Sequence, residues 1–332
     1  MLDYLQMNYS ATIESLGWLS KYWLEHRDDL DWEPIFVLPP WLNVWCKHFA
    51  PDAEIAILVV RQSEKIIGIA PLQLKDNVAT IIGSPNVCDY EDFIIKQGEE
   101  TTFSQALIDF LKQKRIEILE PGVIRPDSKA MSYLLPLARQ SGANIICESD
   151  EVSLEKELPA SWEEYLQTLD AKQRHEVRRK LRRLEEEGKI SYRFVTDSTS
   201  VPAFLEIFLK MFVESREDKA HFLTSQAEGF FRDLTMAMAE SGFLRGGILE
   251  LDGKPMAAVF AFDYKDTVYL YNSGFDPNVS QLSVGILSKA LLIKDSIERG
   301  KKKFDFLKGA ERYKYHLGGK EIQLQKCRIA LR

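Results

Sequence analysis

No run of about 18 apolar residues occurs in this chain, so nothing in it reads as a membrane span. Met1 to Trp23 mixes Asp, Tyr, Gln, Asn and Glu with its apolar residues and lacks the apolar core of a secretory leader. Cysteine is scarce. Cys46, Cys88, Cys147 and Cys327 lie far apart, form no Cys-x-x-Cys, and have no histidine at a metal-ligand spacing. A structural zinc site is therefore not expected, and no metal is implied. Reduced, mostly buried thiols in a cytoplasmic protein are the expectation.

What is present is an ordinary globular composition over 332 residues, enough for about two domains. The net charge of −7 is unevenly spread: residues 1–155 carry −11 and residues 156–332 carry +4. The basic half suits a phosphate-bearing ligand, the acidic half a neutral or cationic one.

One pattern occurs twice. Ile55–Val60, a turn at Ser63-Glu64 and Ile66–Leu74 read as a β-hairpin, followed by a strand at Val78–Gly83, a helix from about Thr102 to Lys114 and a strand at Ile116–Leu119. Gly246–Leu251, the Asp252-Gly253 turn and Pro255–Tyr264 read as a second hairpin. It is followed by a strand at Thr267–Phe275, a helix from about Leu282 to Arg299 and a strand at Lys303–Leu307. The pattern predicts an α/β (α+β) protein of two tandem units, 1–155 and 156–332. Each has a mixed, mostly antiparallel sheet flanked by helices, and a helical insert spans about 161–240. Within the insert, Ser161 and Glu164 form a capping box. A helix from about Ala171 to Glu187 carries Arg174, Arg178, Arg179, Arg182 and Arg183, with Gly188 as its C-cap. Those arginines read either as a solvated face or as a phosphate-facing wall, RNA included.

The second unit collects the candidate chemistry. Asp305, Lys308, Tyr313 and Lys314 cluster where the last strand stops at Gly309. A strand tip that gathers titratable and hydroxyl groups reads as a site wall, against the plainer reading of a solvated edge. Tyr271 and Ser273 lie on the preceding strand, and Gln281, Leu282, Ser283, Val284 and Gly285 open the long helix. A helix start offers unpaired N–H groups to an anion, and a glycine admits a pyrophosphate. Packing is the alternative for Tyr269 and Tyr271.

This order of strand, turn, helix and polar-tipped strand resembles the GNAT acyltransferase superfamily. The likeness is closer to double-GNAT, CelD-like acetyltransferases associated with cellulose and exopolysaccharide, and more distant to Fem-type peptidyltransferases. The stretches that carry it are Ile66–Leu74 (IIGIAPLQL), Cys88–Ile95 (CDYEDFII), Ser161–Gly188 and Gly274–Tyr315, which ends in FDFLKGAERYKY. The resemblance implies an acyl-CoA or acetyl-CoA co-substrate lying between two strands, with its pyrophosphate on the helix start. The chain departs from the family loop at Val284, where the first glycine belongs. A carrier-protein thioester and an aminoacyl-tRNA therefore stand beside CoA as donors. The implied reaction is acyl or aminoacyl transfer to an amine or hydroxyl of an amino acid, a sugar, or a cell-envelope or exopolysaccharide precursor, with no DNA partner. Asp305 is the candidate base, Lys308 and Lys314 anchor phosphate or carboxylate, Tyr313 donates a proton, and Tyr271 lines the acyl channel. In the first unit Asp89, Tyr90 and Asp92 are candidates for holding the acceptor. The alternative is a non-catalytic scaffold or binding protein of polysaccharide assembly that keeps the fold.

Overall fold

A computed structural model describes residues 9–83, 86–215 and 217–331. Ser84 and Pro85, part of the expected turn after the first unit's third strand, lie outside the described residues. The chain divides into two compact units, residues 1–151 with 323–332, and residues 152–322. In this division residues 323–332 belong to the first unit. That membership could not be read from a linear pattern.

The first unit runs β1 (Tyr9–Glu14), α1 (Leu16–Glu25), α2 (Pro39–Phe49), β2 (Glu54–Gln62), β3 (Lys65–Lys75), β4 (Val78–Ile81), β5 (Ile94–Ile95), α3 (Glu100–Gln113), β6 (Ile118–Glu120), β7 (Val123–Ile124) and α4 (Leu135–Gln140). The start of β8 (Asn144–Glu157) follows. Asp76 and Asn77 both adopt positive φ, the geometry of the tight turn that folds β4 back on β3. β1, β2, β3 and β4 pair antiparallel in that order, and β6 lies parallel to β4 after the α3 crossover. The apolar face of α3, with Phe103, Ala106, Leu107, Ile108 and Leu111, closes the core over β2 and β3.

The second unit continues through α5 (Trp162–Thr168), α6 (Ala171–Glu187), β9 (Ile190–Val195), α7 (Val201–Ser215), α8 (Glu217–Phe222), α9 (Ser225–Glu240), β10 (Gly246–Leu251), β11 (Lys254–Tyr264), β12 (Thr267–Phe275), α10 (Val284–Glu298), β13 (Lys303–Lys308) and α11 (Arg312–His316). The last strand of the chain is β14 (Lys320–Ala330). β9 to β12 form an antiparallel meander; β13 is parallel to β12 and antiparallel to the end of β8. Ser161 caps α5 through the Glu164 N–H at 3.2 Å, and Asp170 caps α6 through the Gln173 N–H at 2.8 Å. Gly188 does end α6, but in extended backbone, with the Asp252 carboxylate packed where a Cβ would project. Strand β9, which interrupts the insert, is not among the elements expected.

Each unit thus repeats hairpin, strand, helix and parallel strand, as the sequence pattern indicates. The cysteines differ from expectation. Cys147 and Cys327, separated by 180 residues, form a disulfide with a Cα–Cα distance of 4.1 Å, and only Cys46 and Cys88 are free thiols. Such a pair becomes visible only when β14 is placed in the first unit. Among the described residues, no helix is long and apolar enough to cross a membrane.

Candidate active site

β12 and β13 pair only over Thr267–Tyr269 with Lys303–Asp305. Immediately past that point both strands bulge. Tyr271 is the extra residue of β12 between Leu270 and Asn272 against β11, and Phe306 is the extra residue of β13 against β8. A bulge bends a strand and strengthens its local twist. The two strands therefore part, and the gap between Asn272–Phe275 and Leu307–Lys308, which no ladder bridges among the described residues, is the candidate cleft. α10 begins at its rim.

Asp305 holds the bend in β13. It is 2% exposed, and its Oδ1 accepts the Leu307 N–H at 2.8 Å and the Ser153 hydroxyl at 3.5 Å. Leu307 sits at φ 62, a conformation that side chains rarely adopt and that this bond helps to hold. Asp305 is thus in place to shape the cleft rather than to meet a substrate. Lys314, also 2% exposed, donates to the carbonyls of Leu307 at 2.9 Å and Lys308 at 2.6 Å, and pairs with Glu311 at 2.9 Å. It ties α11 back onto the diverging end of β13. The Lys308 side chain is half-buried beside it.

On the β12 side, Tyr271 packs its ring edge-on against Phe231 and Phe260 and obliquely against Phe262. The Ser273 carbonyl accepts the Lys219 ammonium of α8 at 2.5 Å. At the start of α10, Ser283 is the N-cap in a left-handed conformation and gives no side-chain cap. The first-turn N–H groups therefore receive no help from it. Gln281 is exposed, whereas Leu282 and Val284 point into the core with Leu249, Met256 and Leu287. These two cannot touch a ligand with their side chains. Gly285 has a structural reason of its own: a Cβ there would come within 3.0 Å of the Phe275 ring.

The sequence reading missed Lys289, one turn into α10. It is 5% exposed, donates to the Gly285 carbonyl at 2.7 Å, and lies 4.7 Å over the Tyr313 ring. Burial, with Lys219 next and Lys314 as a lesser influence, lowers its amine from 10.5 to about 7 against the opposing pull of Glu311. The available signal was its position three and four residues before Leu292 and Ile293, on the buried face of α10.

The first-unit candidates have other work. Tyr90 is buried edge-on against Phe36 with Arg125 over its ring. Asp92 is buried and accepts the N–H groups of Lys129 at 2.8 Å and Ala130 at 3.1 Å, capping the turn that leads into α4. Asp89 is half-buried. Tyr90 and Asp92, expected to hold an acceptor, are both buried in this structure. The place that corresponds to the cleft is filled in this unit. β4 ends one residue beyond its pairing with β6, and Gly83 and Gly122, which follow the two strands, both pack on the Glu91 carboxylate. Glu91 accepts the Val123 N–H at 2.8 Å. Glu91→Ala leaves that buried donor without the carboxylate and is expected to destabilise the protein by about 1–3 kcal/mol, with Glu91→Gln costing less. Urea unfolding measures both, and equal stability of all three proteins contradicts this role.

The basic face of α6 is partly neutralised: Arg178 pairs with Glu163 at 2.6 Å and Arg179 with Glu176 at 2.9 Å. Among the described residues, no group of three or more His, Cys, Asp or Glu is arranged to hold a metal ion.

Residues 171–315, from α6 through α11 and so across the whole cleft, match the acetyltransferase (GNAT) domain. The crystal structure of FemX is similar with a TM-score of 0.64 at 11% identity, over 96% of each chain. The C-terminal domain of a putative lysylphosphatidylglycerol synthetase from Agrobacterium fabrum gives 0.61 at 11% identity, over 96% of this chain and 93% of that one. A Bacteroides thetaiotaomicron protein of unknown function gives 0.62 at 12% identity, over 97% of this chain and all of that one (100%). At these identities the likeness is one of fold. No curated protein matches the chain. Residues 171–315 therefore carry the GNAT domain, and the chain as a whole shares its fold with FemX.

Proposed function

We propose that this protein is an acyltransferase whose donor lies in the cleft between β12 and β13. The observation that carries the reading is the divergence of those strands after Tyr269 and Asp305, inside the segment that matches the GNAT domain. Beyond Tyr269 β12 has no ladder with β13, and that side of the strand offers main-chain groups to an extended, amide-bearing donor arm. The start of α10 offers N–H groups and the positive end of a helix dipole to its phosphates. A phosphorylated thioester such as acyl-CoA fits these features through main chain and lysines, not through a glycine-rich loop. That preference leaves room for an aminoacyl ester donor, and FemX and the lysylphosphatidylglycerol synthetase share the fold.

The acceptor is an amine or hydroxyl of an amino acid, a sugar or a cell-envelope precursor. Its nitrogen or oxygen attacks the donor carbonyl, and the sulfur or oxygen of the donor leaves. The site must supply a proton acceptor, charge stabilisation for the oxyanion, and a proton for the leaving group. Tyr313 and Lys314 stand at the β13 end of the cleft for the last two tasks, and Asp305 positions them by holding the bend.

Calorimetry with acetyl-CoA, CoA, an acylated carrier protein and an aminoacyl-tRNA tests the donor. One of them is expected to bind with a dissociation constant on the order of 1–100 μM, in the range of ordinary Michaelis constants. Binding by none of the four removes the transferase reading and leaves a scaffold with this fold.

A further inference from the structure

Three lysines meet in the cleft, and each is anchored on a different wall. Lys219 is held by the Ser273 carbonyl of β12, Lys314 by the Leu307 and Lys308 carbonyls of β13, and Lys289 by the Gly285 carbonyl of α10. Among the described charged groups that act on Lys289, Glu311 is the one carboxylate, and it is paired with Lys314. Three ammonium groups so placed repel one another, and one of them is relieved by losing its proton.

The geometry selects Lys289. Lys314 has a carboxylate and two carbonyls as partners. Lys219 lies 4.9 Å over the Phe212 ring as well as on its carbonyl, and is only partly buried. Lys289 is almost completely buried, holds one carbonyl, and has no carboxylate within ion-pair distance among the described residues. Among the described residues, the charged groups that act on it are Lys219, Glu311 and Lys314. α5 and α6 meet α10 through Tyr165, Leu166, Val177 and Leu184, and Tyr192 of β9 donates its hydroxyl to the Ser288 carbonyl. The amine that results donates one N–H to the Gly285 carbonyl and retains a lone pair, beside the Tyr313 ring.

We propose that the Lys289 amine takes the proton from the attacking nucleophile in the acyl transfer described above, a role that rests on that reading. As the nucleophile's nitrogen or oxygen bonds to the donor carbonyl carbon, its proton moves to the Nζ lone pair. The bond from that carbon to the donor sulfur or oxygen then breaks with its electron pair. The Tyr313 hydroxyl gives its proton to this leaving atom and takes the one held by Lys289, so the amine is neutral again. No further reactant is consumed. The near-neutral titration of the buried amine agrees with this role, since a base works best when it titrates near the working pH.

The test uses the full chain with acetyl-CoA and a panel of small amines, following free thiol from pH 5.5 to 9. Lys289→Met and Lys289→Gln are compared with the parent, with circular dichroism and the acetyl-CoA dissociation constant as controls for folding and donor binding. The parent rate is expected to rise through a limb near pH 7. Both variants are expected to lose about 100-fold or more in kcat and to lose that limb, with donor affinity changed less than about threefold. Nitrogen-15 spectra of the lysine side chains are expected to show one amine titrating in the same range and absent from Lys289→Met. A parent that cleaves the thioester while either variant keeps rate and limb overturns the role of Lys289 alone. So does a Lys289 ammonium that persists above pH 8, or a loss confined to donor affinity. A parent that neither binds nor turns over any of the four donors named above overturns the transferase reading, and the role falls with it.

Discussion

Phe260→Ala is expected to cost the second unit about 3–5 kcal/mol, the range for removing a large aromatic side chain from a packed core. Phe260 is fully buried on β11 and is the hub of a ring cluster. Its centroid lies 5.4 Å from Phe208, 6.0 Å from Phe231, 5.0 Å from Phe262 and 5.5 Å from Tyr271. Phe208 belongs to α7 and Phe231 to α9, so the ring fastens two helices of the insert onto the sheet. Its register partner is Asn272, next to the bulge at Tyr271. Truncation therefore removes packing at the bend that opens the cleft, and donor affinity is expected to fall with stability. Phe103→Ala supplies the control. Phe103 is equally buried, in the first unit, against Phe93 and Gly68. Its loss is expected to cost a similar amount while sparing donor affinity in the protein that remains folded. Urea unfolding and calorimetry read the two quantities. A Phe260→Ala cost below about 1.5 kcal/mol shows that the cluster collapses around the missing ring, and equal affinity losses in both variants separate the bulge from the cleft.

Short-range rules made much of this fold legible. Asp252-Gly253 is a two-residue hairpin signal, and both residues adopt the positive φ it requires. The apolar runs of β2, β3, β11 and β12 are strands for the reason they look like strands, and the long helix between β12 and β13 lies close to its expected limits. The GNAT resemblance came from the order of these elements, and that order survives because each pairing is between neighbours or across one crossover. What stayed hidden depends on long-range placement. Nothing near Cys147 announces Cys327, and nothing near Gln323 announces that the chain has returned to the first unit. Asp92, Tyr90 and Glu91 read as a polar cluster fit for a ligand, but a carboxylate that caps backbone N–H groups and one that binds a substrate have the same sequence. Asp305 shows the same ambiguity at the cleft. Its sequence reads as a candidate base, while the structure shows its carboxylate accepting the Leu307 N–H.

Lys289→Met is expected to stabilise the protein at neutral pH. The folded-state amine titrates near 7 instead of 10.5, so between those values the unfolded chain binds more protons than the folded one. Stability therefore rises with pH across that window, and the full penalty applies below about pH 7. A displacement of this size corresponds to ~5 kcal/mol. Losing the bond to Gly285 and the cation contact with Tyr313 gives back roughly 1–2 kcal/mol. The methionine, similar in length and apolar, suits a buried site among Leu292, Ile293 and the Tyr313 ring. The net expectation is about 2–4 kcal/mol in favour of the variant at pH 6–7, shrinking toward zero or below as pH approaches 10.5. Urea unfolding of parent and variant at matched pH measures the difference directly, because titrations common to both proteins cancel. A variant no more stable than the parent at pH 6–7, or one whose advantage persists unchanged to pH 10, contradicts the buried neutral amine. A lysine held in the interior against its own hydration lowers stability, and the same low affinity for protons equips it to accept one from a nucleophile and release it again. Gain of stability with loss of turnover in a single substitution is the combination that this arrangement requires.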